Sequence, residues 1–177
     1  GPCTLCTGQE PWAAKDSSVS KRVDALSFHE RVRHLKWSGM SPLWELDHKG
    51  WSGGNKFVVN FAGRQAFLKL GDLGIDMEFA YHSIAQALRF NITLPTLFDQ
   101  GALMTPFVPH MEHCGNDHCK QLCLAPVNVR GAQIAVVDFL VGYVDRPVNC
   151  HTISGVAYAV DNDSGTTDCY EPNTTMR

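Results

Sequence analysis

Residues 55–89 constrain the fold of this chain more than any other stretch. Asn55-Lys-Phe-Val-Val-Asn-Phe61 is rich in β-branched and aromatic residues, Ala62-Gly63-Arg64 can turn the chain, and Ala66-Phe-Leu-Lys69-Leu70 reads as a second strand. Alternation along that strand puts Lys69 on one face with Phe67 and sends Ala66, Leu68 and Leu70 to the other. Gly71 and Gly74 break the strand, and Asp76 is a fair N-cap for a helix running to about Arg89. Met77, Ala80, Tyr81, Ile84 and Leu88 follow helical spacing and predict its buried stripe, with Glu78 at the margin in line with His82, Ala85 and Arg89. A hairpin feeding a helix sets an α+β class.

Two of these residues carry charge where apolar neighbours dominate. An ammonium on a strand flanked by apolar residues suits phosphate oxygens, although an edge-strand lysine reaching for water has the same signature. Glu78 can lean from the helix toward Lys69, or simply favour the positive end of the helix dipole. Downstream stand two acids. Asp145-Arg146 ends the apolar segment that begins at Asp138, and Asp161-Asn162 follows Val156-Ala-Tyr-Ala-Val. Acids in loops after rigid elements are what phosphoryl transfer needs, one to orient the attacking hydroxyl and one to hold the bridging metal. Turn and cap acids look alike in sequence. The order strand lysine, helix glutamate, Asp145, Asp161 is what links the four.

The Asp138–Asp163 region resembles the catalytic and metal-binding segments of atypical secretory-pathway kinases, the four-jointed and Golgi-associated group. Asp76-Met-Glu78-Phe-Ala-Tyr-His-Ser-Ile-Ala-Gln-Ala-Leu88-Arg-Phe-Asn91-Ile-Thr-Leu-Pro95 resembles the helix and following loop of the same group. The resemblance implies ATP and Mg²⁺ or Mn²⁺ as cofactors, and a Golgi-lumenal or extracellular location. It also implies a secreted protein or glycan as phosphate acceptor, and it extends to relatives that bind nucleotide without turnover. Lys69 would hold phosphates, Glu78 would orient Lys69, Asp145 would be the base, and Asp161 would hold metal with Asn149 assisting. Asn149 follows Asp145 with three residues between instead of four. Only fourteen residues follow Asp163, so a truncated second lobe is expected.

The seven cysteines bear on compartment: Cys3, Cys6, Cys114, Cys119, Cys123, Cys150 and Cys169. Disulfides stapling the loop at 114–123 to the segment after Asp145 are the simpler expectation, and they place the chain in an oxidising compartment. Sequons at Asn91-Ile-Thr93 and Asn173-Thr-Thr175 agree, and Asn162-Asp-Ser164 matches as well. The competing reading is structural zinc, from His110, His113, Cys114, His118, Cys119 and Cys123 with the Cys3-Thr-Leu-Cys6 pair. His110-Met-Glu112 with Pro2-Cys3-Thr-Leu-Cys6 has the parts of a zinc deaminase in reversed order. Asp161-Asn-Asp163-Ser-Gly165 lacks EF-hand spacing, and no G-x-S-x-G elbow supports a triad hydrolase.

Net charge is −3 with no basic run, which argues against a nucleic-acid surface. No apolar stretch reaches the length of a membrane span. The expected organisation is an N-terminal extension with a helix (1–39), a small kinase-like lobe of hairpin plus helix (40–105), and a cysteine loop with a partial catalytic lobe (106–177). The alternative is a secreted, disulfide-rich binding module in which the acids are structural.

Overall fold

The computed structural model describes residues 20–21, 23–46, 55–71, 74–109, 111–113, 122–123, 128–143, 146 and 149–162. They form an α+β fold. The larger sheet is antiparallel in the order β1-β2-β3-β4-β6-β5: β1 (Ser20–Lys21), β2 (Ser41–Leu46), β3 (Asn55–Phe61), β4 (Arg64–Leu70), β5 (Leu97–Asp99) and β6 (Ala102–Pro106). A second antiparallel sheet comprises β7 (Met111–His113), β8 (Cys150–Ile153) and β9 (Val156–Ala159), with β8 in the middle. Helices α1 (Ala25–Val32), α2 (Ile75–Ala87) and α3 (Val129–Val141) complete the described fold.

The hairpin predicted from residues 55–70 is present. Its two-residue turn, Ala62-Gly63, has φ 49° and 76°, so both central residues are left-handed as a type I′ turn requires. That turn sets the register, pairing Phe61 with Arg64, Val58 with Phe67 and Lys56 with Lys69. The two faces separate as alternation predicts. Phe57, Val59, Ala66, Leu68, Leu70, Ala102 and Met104 bury one face beneath α1, whose Phe28 meets Phe57 edge to face at 5.3 Å. Burying such side chains is worth about 1.5–3 kcal/mol each. Lys69 and Phe67 lie on the other face, toward a cavity.

The sheet extends well beyond one hairpin, because β2 pairs with β3 on one side and β6 with β4 on the other. Helix α1 is the helix expected within residues 1–39. Asp24 caps it by accepting a hydrogen bond from the Ser27 amide at 2.9 Å, and Phe28 and Val32 face the core while Leu26 faces solvent. Helix α2 starts two residues earlier than expected. Gly74 at φ 97° is its N-cap, and Asp76 lies inside the first turn. Its buried face runs through Ile75, Glu78, Tyr81 and Ala85, and Leu88 is exposed. The apolar segment from Asp138 is the end of α3, capped by the Asn128 side chain and closed by Gly142 at φ 65°.

A second core lies between α2, α3 and the second sheet. Tyr81, Ala85, Ile92, Cys123, Ile134, Val137, Cys150, Ala157 and Ala159 form it. The Ala159 amide donates to the Ile92 carbonyl at 2.9 Å, fastening the loop after α2 to the end of β9. A Cys123–Cys150 disulfide ties the cysteine loop to the start of β8, the connection expected for the segment after Asp145. No described helix is long and apolar enough to cross a membrane.

Candidate active site

Lys69 projects from β4 into the space between the two sheets and is 4% exposed. Its Nζ donates to Glu78 Oε2 at 2.7 Å and to Asp161 Oδ1. Three elements distant in sequence converge here: β4 brings the lysine, the buried face of α2 brings Glu78, and the turn after β9 brings Asp161. Burial disfavours the lysine's charge, but Glu78 and Asp161 outweigh it and raise its pKa above the ordinary value. Burial pushes the Asp161 carboxyl the other way from its final shift. Lys69 dominates, Lys56 and His151 add to it, and the carboxyl is held below the ordinary carboxylate range. The Asp161 side chain stays 43% exposed, so one face of an ionised carboxylate meets the cavity.

The loops behind these acids are held by Arg146, which is 3% exposed. Its Nη2 donates to Asp138 Oδ1 of α3 and to Asn162 Oδ1, both at 2.7 Å, and its Nη1 donates to the Asn149 carbonyl at 3.2 Å. The guanidinium stacks over Tyr143 and Tyr81 at 4.2 and 5.2 Å. Tyr81 in turn donates to Asp138 at 2.7 Å, so α2, α3 and both loops share one network. Burial raises the Tyr81 phenol above its ordinary range, with Asp138 adding to it, so the group remains a donor. Asp161 has φ 50°, and its carbonyl accepts from Tyr143 Oη at 2.9 Å, which fixes this left-handed turn.

Asn149 is buried beside Asp161. Its Nδ2 donates to Tyr143 Oη at 2.6 Å and to the Asp161 carbonyl at 3.3 Å, leaving Oδ1 as the atom able to serve a cation. Asp145 lies outside the described residues. Lys69, Glu78, Asp161 and Asn149 are therefore brought together. Among the described residues no three His, Cys, Asp or Glu side chains group as metal ligands. Of the zinc candidates, Cys123 is committed to the disulfide. Cys3, Cys6, His110, Cys114, His118 and Cys119 lie outside the described residues, as do the side chains of Glu112 and His113.

The cavity beside the ion trio measures about 330 Å³, the size of a small-molecule site. Its walls are largely apolar, with Leu46, Phe67, Leu94, Phe107, Val108 and Met111 among them, and its charged end holds Lys56, Lys69, Glu78 and Asp161. Residues 105–108, which leave β6 toward the second sheet, form one edge. Lys56 and His151 are among the lining residues that sequence reasoning missed. For Lys56 the signal was available: a two-residue turn at Ala62-Gly63 pairs residues whose numbers place Lys56 directly opposite Lys69. Comparison with protein-family models, curated proteins and solved structures returned no match.

Proposed function

We propose that this chain is a kinase-like domain of the secretory pathway that binds a nucleotide with Mg²⁺ or Mn²⁺, as an atypical phosphotransferase or a non-catalytic derivative of one. The observation that carries the reading is the buried Lys69 bridged to both Glu78 and Asp161 at the charged end of a largely apolar cavity. A strand lysine held by a helix glutamate can present its ammonium to phosphate oxygens without losing its orientation. Element order from β2 onward supports the same reading: three strands, a helix and two strands of the larger sheet, then β7, a helix, a loop, a hairpin and an acid.

The donor set fits the implied metal. Asp161 is ionised and half-exposed, Asn149 offers an amide oxygen beside it, and hard oxygen donors suit Mg²⁺ or Mn²⁺. When bound, the metal would neutralise phosphate charge against Asp161. Lys69 would grip phosphate oxygens and Glu78 would hold Lys69 in place. Asp145 is assigned as the base from its sequence position. The apolar walls of the cavity suit a base and sugar.

Calorimetric titration with ATP tests this. Binding is expected with Mg²⁺ or Mn²⁺ present and not with EDTA. Asp161→Asn is expected to remove the metal-dependent binding, and Asp145→Asn to leave it. Folded protein giving no heat in either condition would overturn the reading. One observation favours the alternative of a secreted binding module: α3 exposes Val129, Val136, Phe139 (86%) and Leu140 along one side, an apolar stripe of the kind that marks interaction surfaces.

A further inference from the structure

The loop between α2 and β5 carries a motif that the cleft does not use. After α2 the chain turns through Arg89 at φ 59°, exposes Asn91, and buries Ile92 and Thr93. Asn91-Ile92-Thr93 has the form of an N-glycosylation acceptor. The Asn91 side chain points to solvent from a surface loop and is not among the residues lining the cavity. Thr93 is 4% exposed, and its hydroxyl lies 2.7 Å from His82 Nδ1.

We propose that Asn91 is a site of N-linked glycosylation and that the sequon asparagine at 162 is not. The donor class is a lipid-pyrophosphate-linked oligosaccharide with N-acetylglucosamine at its reducing end. The Asn91 amide nitrogen bonds to the anomeric carbon, the bond from that carbon to the pyrophosphate oxygen breaks, the lipid pyrophosphate leaves with the electron pair, and the amide gives up one proton. Because the folded protein engages the Thr93 hydroxyl with His82, the transfer precedes folding of this loop. The loop then accommodates the sugar, since Asn91 remains outside while Ile92 and Thr93 pack inward. Asn162 has no such outlet. It is 4% exposed, its Nδ2 donates to the Ala159 carbonyl at 3.2 Å, and its Oδ1 accepts from Arg146 at 2.7 Å. A glycan on that nitrogen would prevent the second core from closing, so folded protein carries none. The disulfide at Cys123–Cys150 belongs to the same oxidising compartment as the transfer.

The inference rests on the secretory part of the proposed function, and its test supplies that compartment. The chain is expressed behind a secretion signal in mammalian cells. Protein from both medium and lysate is treated with peptide N-glycosidase in ¹⁸O-water, and its peptides are weighed. The Asn91 peptide is expected to appear as labelled Asp in both fractions, and the Asn162 peptide to be unlabelled in the secreted, folded fraction. Asn91→Gln is expected to remove one glycan's mass, Thr93→Ser to retain it, and Asn162→Gln to leave the mass of the secreted protein unshifted. An unlabelled Asn91 in both fractions, or a labelled Asn162 in folded protein, overturns the proposal. Nucleotide binding is scored separately: its absence with Asn91 occupied counts against the phosphotransferase reading alone, and its presence with Asn91 empty counts against this proposal alone.

Discussion

Ala62 occupies the first left-handed position of the β3–β4 turn, at φ 49°. An alanine there costs about 1–2 kcal/mol that Asn largely avoids, and Asn-Gly is the preferred pair for this turn. Ala62→Asn is expected to raise stability by about 1 kcal/mol, read as a higher urea midpoint at unchanged slope. Lys69 and Glu78 are a different residue-scale case, because both are buried and each is the other's partner at 2.7 Å. Removing Lys69 takes the shared cation from both carboxylates, so Lys69→Met is expected to lose about 3–5 kcal/mol, whereas Glu78→Leu leaves Lys69 paired with Asp161 and is expected to lose less. The double variant is expected to recover most of the Lys69→Met loss, since Asp161 is exposed enough to be solvated. A double variant as unstable as the sum of the singles would refute this account. At this scale the cleft was partly legible. Lys69, Glu78 and Asp161 stood out as charges set against apolar surroundings, whereas Lys56 follows a polar, glycine-containing stretch and looks like an ordinary strand end until the hairpin register is counted.

At the scale of elements, local signals were read where they act locally. Alternation gave β3, β4 and the face carrying Lys69. The Asn128 and Gly142 caps of α3 were available but were masked by the apolar run from Asp138, which suits a buried strand as well as a helix. Helix α2 defeated the hydrophobic stripe because it faces a core on one side and the ion trio on another, so its buried face includes Glu78. The pairing of β7 with β8 joins segments about forty residues apart and leaves no periodic trace. What holds these distant elements is Arg146, reaching Asp138, Asn162 and the Asn149 carbonyl with one planar fork. Arg146→Lys keeps the charge but not the fork, and is expected to destabilise by about 3 kcal/mol in thermal unfolding, close to the loss from Arg146→Met. The disulfide acts on the same region from within the second core. It closes a loop of 27 residues in sequence separation, so Cys123→Ser with Cys150→Ser is expected to cost about 3 kcal/mol.

In the whole molecule, two cores meet at Lys69, Glu78 and Asp161: β4 belongs to the first, and α2 and β9 pack in the second. The ionisation of that trio therefore couples pH to the joining of the two cores. Lys69 has a raised pKa in the folded state, so its contribution is fully present below its ordinary value of 10.5 and is lost as pH rises through the folded value. Asp161 has a depressed pKa, so its contribution is present above 3.8 and is lost as pH falls through its lower folded value. His82 is shifted down by burial, so the folded protein resists its protonation and stability begins to fall below about 6.5. Burial also raises the Tyr81 phenol above its ordinary 10.0, and that contribution is lost as pH rises beyond it. The stability profile should thus show a plateau from about pH 6.5 to 10, a shallow decline on its acid side, and a steeper fall near and below pH 3.8. Urea unfolding followed across this range measures it. His82→Phe should remove the shallow decline and leave the steep fall, because Asp161 is untouched. In the Lys69→Met/Glu78→Leu background the alkaline loss assigned to Lys69 should vanish, since its ammonium is gone. The Asp161 part of the acid limb should weaken as well, because the partner that depressed its carboxyl is gone. Acid and alkaline limbs that survive unchanged in that background would mean that the two cores are joined by something other than this trio.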